Sequence, residues 1–197
     1  MKVIIFGAYG FLGRHLSKFL ESSAYTILRV GSDITSDICY SHTDGYVTLS
    51  LILQQYVPDV IINLLALTDV DECEKSPNSA YKLNTNFPAC LKRCLVELVK
   101  DIHVIHISTD QIYSGHGPHV EEKSNNPLNT YGLTKLFGEY EICSQDSLIL
   151  RTNFVGKSLV DCKVSFSDWI VYSLKSGSSI KGYNNIYFSP LHISSPV

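Results

Sequence analysis

No stretch of this sequence approaches the roughly 18 consecutive apolar residues that a membrane-crossing helix needs, so an integral helical membrane protein is not indicated. The six cysteines, Cys39, Cys73, Cys90, Cys94, Cys143 and Cys162, form no Cys-x-x-Cys pair and no Cys/His array with zinc spacing. They are expected to be reduced and structural, and no metal site is indicated. Cys90 and Cys94, one helical turn apart, read as small apolar packing residues. Cationic excess is missing too: the formal net charge is −3 and only 18% of residues are charged, which leaves no basic stripe for nucleic acid or a membrane surface. Internal repeats and low-complexity tracts are absent. A strand-like run begins at Lys2 and leaves no room for a charged segment, an apolar segment and a cleavage site, so a cytoplasmic location is expected.

What is present is an alternation. In "KVIIF" the apolar residues are continuous; then come glycines, then Phe11, Leu12, His15, Leu16, Phe19 and Leu20 at helical spacing. "YTILRV" at 25–30 is the next strand, followed by the turn formers of "GSDITSD". Leu49, Ile52, Leu53 and Tyr56 make a helical stripe that ends before Pro58, and "DVIINLLAL" at 59–67 reads as a strand covered on both faces. Ser76-Pro77 reads as N-cap and first turn of a helix running to Lys100, with a kink expected near Phe87 because Pro88 interrupts it. Strands at 102–108 and 147–152 flank a helix that carries Tyr131. Strands separated by helices need crossover connections, so the expected fold is α/β, a Rossmann-like doubly wound parallel sheet with helices on both faces.

Three stretches carry chemistry. "GAYGFLG" sets Gly7, Gly10 and Gly13 between the first strand and first helix, where glycines let the backbone approach a pyrophosphate and the helix N-terminus offers free N–H groups. At the end of the second strand "LRVGSD" presents no acid in the turn itself, with Arg29 before it and Asp33 after it; this leans towards NADPH, with NADH still open. "STDQIYSG" follows a strand, so Ser108 and Thr109 belong at the carboxyl edge of the sheet, and Tyr131 and Lys135 lie on one helix face at i, i+4. A hydroxyl, a phenol and a lysine beside a nicotinamide can reduce a carbonyl. Tyr131 would give the proton, Thr109 would orient the oxygen, and Lys135 would pull the phenol below its reference of about 10.

Taken together, "GAYGFLGRHL", "PDVIINLLALTDVDECEKSP", "YKLNTN", "HISTDQIYSG", "NPLNTYGLTKLFGE" and "ILRTNFVG" resemble the extended short-chain dehydrogenase/reductases, and within them the dTDP-4-dehydrorhamnose reductase family. The resemblance implies NAD(P)H-dependent reduction of a nucleotide-activated 4-keto-6-deoxy sugar, with Thr109, Tyr131 and Lys135 as the catalytic set. It also implies cofactor contacts from the Gly7–Gly13 loop with Tyr9, Phe11 and Leu12, from Asn63, Ala66 and Asn84, and from Asn153 and Phe154 beside the nicotinamide. Residues 1–156 would be the cofactor domain and 157–197 the start of a substrate lobe, with a helix around "FSDWIVYSLKSG" and one strand. That lobe continues beyond this sequence in the family, and "SPLHIS" resembles the segment that leads into it.

Relatives stay open at this stage. The 4,6-dehydratases of the family follow the threonine with Asp-Glu, whereas Thr109-Asp110-Gln111 supplies an amide that cannot act as their base; 4-epimerases usually carry Ser at position 109. Leu64, Leu65 and Gln111 depart from the family pattern, which bears on cofactor and substrate fit. A non-catalytic dinucleotide-binding module, similar to the regulatory subunit of methionine adenosyltransferase, is the alternative from another class. A chain without activity of its own, with an apolar surface that would favour a homodimer or aggregation, is a third. His103 and His106 face opposite sides of a strand, His116 and His119 sit in a glycine-proline loop that suits a lid, and "VDECEKS" reads as a solvated charge cluster.

Overall fold

The computed structural model describes residues 1–193 except 33–34, 42, 99, 116, 123, 145, 161–162 and 186–188; Asp33, His116 and Cys162 lie outside the described residues. The run Lys2–Phe6 forms β1, and Val3, Ile4, Ile5 and Phe6 are all buried, as a strand with helices on both faces requires. Five more strands join it: β2 Thr26–Gly31, β3 Ile38–Cys39, β4 Val60–Asn63, β5 His103–Ser108 and β6 Ser147–Arg151. All neighbours pair in parallel, in the order β3-β2-β1-β4-β5-β6. The order reverses between β1 and β4, which opens a crevice at their carboxyl ends.

The alternation of side chains sends each strand's residues into two cores. Ile4, Phe6, Ile61 and Val104 meet Leu49 and Leu53 of α2 (Gly45–Tyr56), Phe87 and Leu91 of α5 (Phe87–Glu97), and Ile142 at the end of α6 (Thr130–Ile142). Val3, Ile5 and Ile62 face the other way, onto Leu16 and Leu20 of α1 (Phe11–Leu20). Each such fully buried side chain is worth about 1.5–3 kcal/mol of transfer free energy. Cys94 is buried in the first core with Cys90 packed against it, the structural role their spacing predicts.

Departures from the sequence reading have local causes. The apolar run at 59–67 leaves the sheet at Asn63, because the Asn63 carboxamide oxygen accepts from Leu65 N at 3.1 Å and turns the chain. Leu64 then packs on the α1-side core and Leu65 on the other, so their bulk is absorbed by the two cores. The expected helix from 76 to 100 is three pieces: α4 (Pro77–Tyr81), a π-helical turn at Lys82–Asn86, and α5, which ends at Glu97. Pro88 cannot donate to the carbonyl of Asn84, and the widened turn sits where that bond would fall. Ser76 caps α4 without a side-chain bond to it; its hydroxyl donates back to Glu72 at 3.0 Å. Two elements were hidden by polar composition. The edge strand β3 lies among turn formers, and "VDECEK" is helix α3 (Val70–Lys75), capped by Asp69 and anchored by the buried Cys73. A second, two-stranded parallel sheet pairs β7 (Asn153–Val155) with β8 (Pro190–His192), and α7 (Phe166–Lys175) lies between them in the chain. No helix among the described residues is long and apolar enough to cross a membrane.

Candidate active site

The glycines after β1 are demanded by contact. A Cβ on Gly13 would sit 2.2 Å from Gly7 O, and one on Gly7, whose φ is +80°, would sit 2.9 Å from the main chain of Leu64. Gly10 closes the turn with a 3.0 Å bond to Gly7 O and is the N-cap of α1. No side chain caps that helix and its first turn holds no acid, so its leading N–H groups are left for an anion. The cradle therefore fits the pyrophosphate of a dinucleotide. The Tyr9 ring lies against Gly31, 2.6 Å from where a Cβ would be, which accounts for glycine at the end of β2. Arg29, expected to read the cofactor ribose, is engaged by two carboxylates: it pairs with Glu21 and, at 3.4 Å, with Asp37.

Across the crevice, α6 is docked at its N-terminus from three sides. Asn129 caps it, accepting from Gly132 N at 2.7 Å and donating to Gln111 Oε1 at 2.8 Å. Glu74 of α3 accepts from Thr130 N at 2.6 Å and from its hydroxyl at 2.9 Å, which lowers the Glu74 carboxyl; "VDECEK" is thus more than a solvated cluster. Gly132 meets the carbonyl of Gln111, 2.4 Å from a would-be Cβ. This docking brings Tyr131 to Thr109, which follows β5 and caps a short 3-10 turn at Asp110–Ile112 by accepting from Gln111 N at 3.2 Å. Burial pushes the Tyr131 phenol up to about 12, and hydrogen bonding with Thr109 pulls against that.

Lys135 is 2% exposed, and its Nζ donates to Ile107 O at 2.6 Å. Burial pushes the ammonium down to about 8, with the Glu139 carboxylate pulling it back up. The expectation that Lys135 lowers the phenol is not met: the ammonium is turned to the β5 main chain, and the desolvated phenol stays a neutral donor.

Three residues expected to touch the cofactor spend their polar groups inside the protein. Asn84 accepts from Leu67 N at 2.8 Å and donates to Leu67 O at 3.1 Å and to Thr134 at 3.0 Å, so it holds the 64–69 loop, including Ala66, in place. Asn63 donates to His106 Nδ1 at 2.9 Å, and Ser108 donates to Glu139. His106 is fully buried beside Lys135; Nδ1 accepts from Asn63, the proton is on Nε2, and burial keeps the ring neutral. Sequence reasoning missed Glu139 and Arg151, although Glu139 follows Lys135 by one turn and Arg151 ends an apolar strand. Arg151 clasps Glu139 through Nε and through Nη2 at 2.7 Å, and its Nη1 donates to Tyr113 OH at 2.6 Å. Tyr113 stacks on His119, ring centres 4.9 Å apart, so this part of the glycine-proline loop is pinned to the sheet. A cavity of about 560 Å³ opens beside the glycine loop, between Phe11, Thr68 and Asp69 on one wall and Phe154 and residues of the 155–167 segment on the other. Asn153 lies half-buried next to Phe154 on β7.

A parallel sheet in this order, with a glycine cradle at the β1–α1 turn and a threonine, tyrosine and lysine at its carboxyl edge, defines an extended short-chain dehydrogenase/reductase fold. The chain belongs to the RmlD substrate binding domain family, whose model matches residues 1–178. It is 31% identical, over 96% of its length, to the probable low-salt glycan biosynthesis reductase Agl14 of Haloferax volcanii. Among solved structures it resembles a hypothetical dTDP-4-dehydrorhamnose reductase from Sulfolobus tokodaii (TM-score 0.86, 34% identity, 98% of this chain). It also resembles the dTDP-4-dehydrorhamnose reductase of Bacillus anthracis in complex with NADP (TM-score 0.74, 25% identity, 89% of this chain). The chain spans 66%, 68% and 59% of the lengths of these three proteins.

Proposed function

We propose that this chain carries the cofactor site and catalytic set of an NAD(P)H-dependent reductase acting on the 4-keto group of a nucleotide-activated 6-deoxy sugar, as the dTDP-4-dehydrorhamnose reductases named above do. The observation that carries the reading is the convergence of Thr109, Tyr131 and Lys135 at the strand ends, facing an uncapped glycine cradle across the crevice. Residues 1–156 form the cofactor-binding part in this reading, and 157–197 begin the substrate lobe.

Gly7, Gly10 and Gly13 would hold the dinucleotide, with the free N–H groups of α1 on its pyrophosphate, Phe11 and Phe154 on either side of the cavity, and Asn153 close by. Bound there, the nicotinamide supplies hydride to the carbonyl carbon. The Thr109 hydroxyl accepts from Gln111 N–H, which limits its rotation, and donates over a long 3.4 Å to Asp110 Oδ1, a bond it would exchange for one to the substrate oxygen. Tyr131, protonated at any physiological pH, gives its proton to the oxygen as that oxygen becomes an alkoxide. An alkoxide is far more basic than a phenolate, so a phenol near 12 still transfers downhill. The ammonium of Lys135, one turn on along the same helix, stays on Ile107 O and adds a positive charge behind the site rather than a bond to the phenolate.

The test is turnover of a dTDP-4-keto-6-deoxy sugar with NADPH and with NADH, alongside the melting temperature with each. Tyr131→Phe should lower turnover by about 10²–10⁴-fold and leave the cofactor-induced melting shift in place. Wild-type turnover in that variant, or no shift with either dinucleotide, would overturn the reading.

A further inference from the structure

Behind the crevice, Lys135 faces a closed set of groups. Tyr131 lies one turn before it on α6 and Glu139 one turn after. From β5 come Ile107 O, which accepts from Nζ, and the neutral His106. Glu139, 2% exposed, is therefore the anion in this set. It is held rigidly: Ser108 donates to Oε1, and Arg151 from β6 donates to both oxygens.

We propose that Glu139 is a positioning residue whose fixed carboxylate keeps Lys135 in its charged form. The proposal rests on the reductase reading only for its purpose, a cation beside Tyr131; the electrostatic claim stands on the cluster alone. A buried ammonium with one neutral acceptor carries a desolvation cost that a carbonyl bond does not cover. An opposite charge a few ångströms away moves a titration by roughly one to three pH units. Arg151 cancels part of that field, and the titration below reads what is left of it at Lys135.

The experiment is a pH titration of the lysine ¹³Cε resonances of the cofactor-free 1–197 chain, with the Lys135 signal assigned by its loss in Lys135→Met. The wild-type midpoint should fall near 8. Glu139→Gln should move it down by about one unit or more. Because that variant leaves Arg151 buried and unpaired, the double variant Glu139→Gln with Arg151→Met is titrated as well; removing a buried pair together is often neutral for folding. A lowered midpoint in the double variant, or in the single variant should the double not fold, supports the proposal. An unmoved midpoint in the folded double variant overturns it, whatever the single variant does. Ser108→Ala keeps the charge and should leave the midpoint in place, whereas a shift there equal to that of Glu139→Gln would assign the effect to packing and sink the claim. Since no turnover is read, a failed sugar assay with a shifted midpoint removes the reductase reading and leaves this one standing.

Discussion

Replacing Lys135 with methionine should make the protein more stable at neutral pH while abolishing the reduction proposed above. In the unfolded chain the lysine keeps its proton up to its ordinary value of 10.5; in the fold it does so only to about 8. Between these values the unfolded state binds more protons, so stability climbs as pH rises from 8 to 10.5, and below 8 the full cost of the buried charge is present. The gap of about 2.5 pH units, at about 1.36 kcal/mol each, comes to about 3 kcal/mol. Lys135→Met escapes that cost but gives up the bond to Ile107 O, worth about 1 kcal/mol, which leaves a net gain of about 2 kcal/mol at pH 7. For a chain of this size that is a rise of about 4–8 °C in melting temperature. The assay is urea unfolding of both proteins at several values between pH 7 and 10.5, read as the difference between them so that other titrating groups cancel. The advantage should shrink through this window and vanish near its upper end. A variant less stable than wild type at pH 7, or a difference that does not change with pH, refutes the reasoning.

Gly13→Ala places a methyl 2.2 Å from Gly7 O and against the main chain of Ala8, so it should lose the dinucleotide-induced melting shift and several kcal/mol of stability, checked by thermal denaturation with and without NADPH. Asn84→Ala removes three hydrogen bonds and strands Leu67 N; a loss of about 2–4 kcal/mol in urea unfolding is expected, with weaker cofactor binding because the 64–69 loop is released.

The sheet was legible because its strands are continuous apolar runs between glycines and helical stripes, a pattern that few other folds produce. The edge strand β3 was not, since two residues amid turn formers carry no period. Helix α3 was hidden for a related reason: four of its six residues are charged, and a cap at Asp69 with one buried cysteine holds it. In the site, spacing placed Tyr131 and Lys135 on one face, yet it could not say where a four-carbon stem would turn. The ammonium went to Ile107 O rather than to the phenol. Asn63, Asn84 and Ser108 lie near the crevice as expected, but their polar atoms bond partners 17 to 50 residues distant in the chain, which no local pattern reports.

From the cradle to the helix of Tyr131, the connection runs almost wholly through main chain: Gly7 against Leu64, Leu67 on both faces of the Asn84 amide, and the carbonyl of Asn84 against Gly138, 2.1 Å from a would-be Cβ. Contacts of that kind do not depend on which side chain most of these positions carry. The linkage can therefore drift extensively in sequence and keep its geometry, provided two glycines and one carboxamide stay, and a saturation mutagenesis map of this stretch would look permissive with a few abrupt vetoes. An element of the crevice moved by a ligand at the cradle would carry the Tyr131 helix with it, as one rigid lever with no soft joint between.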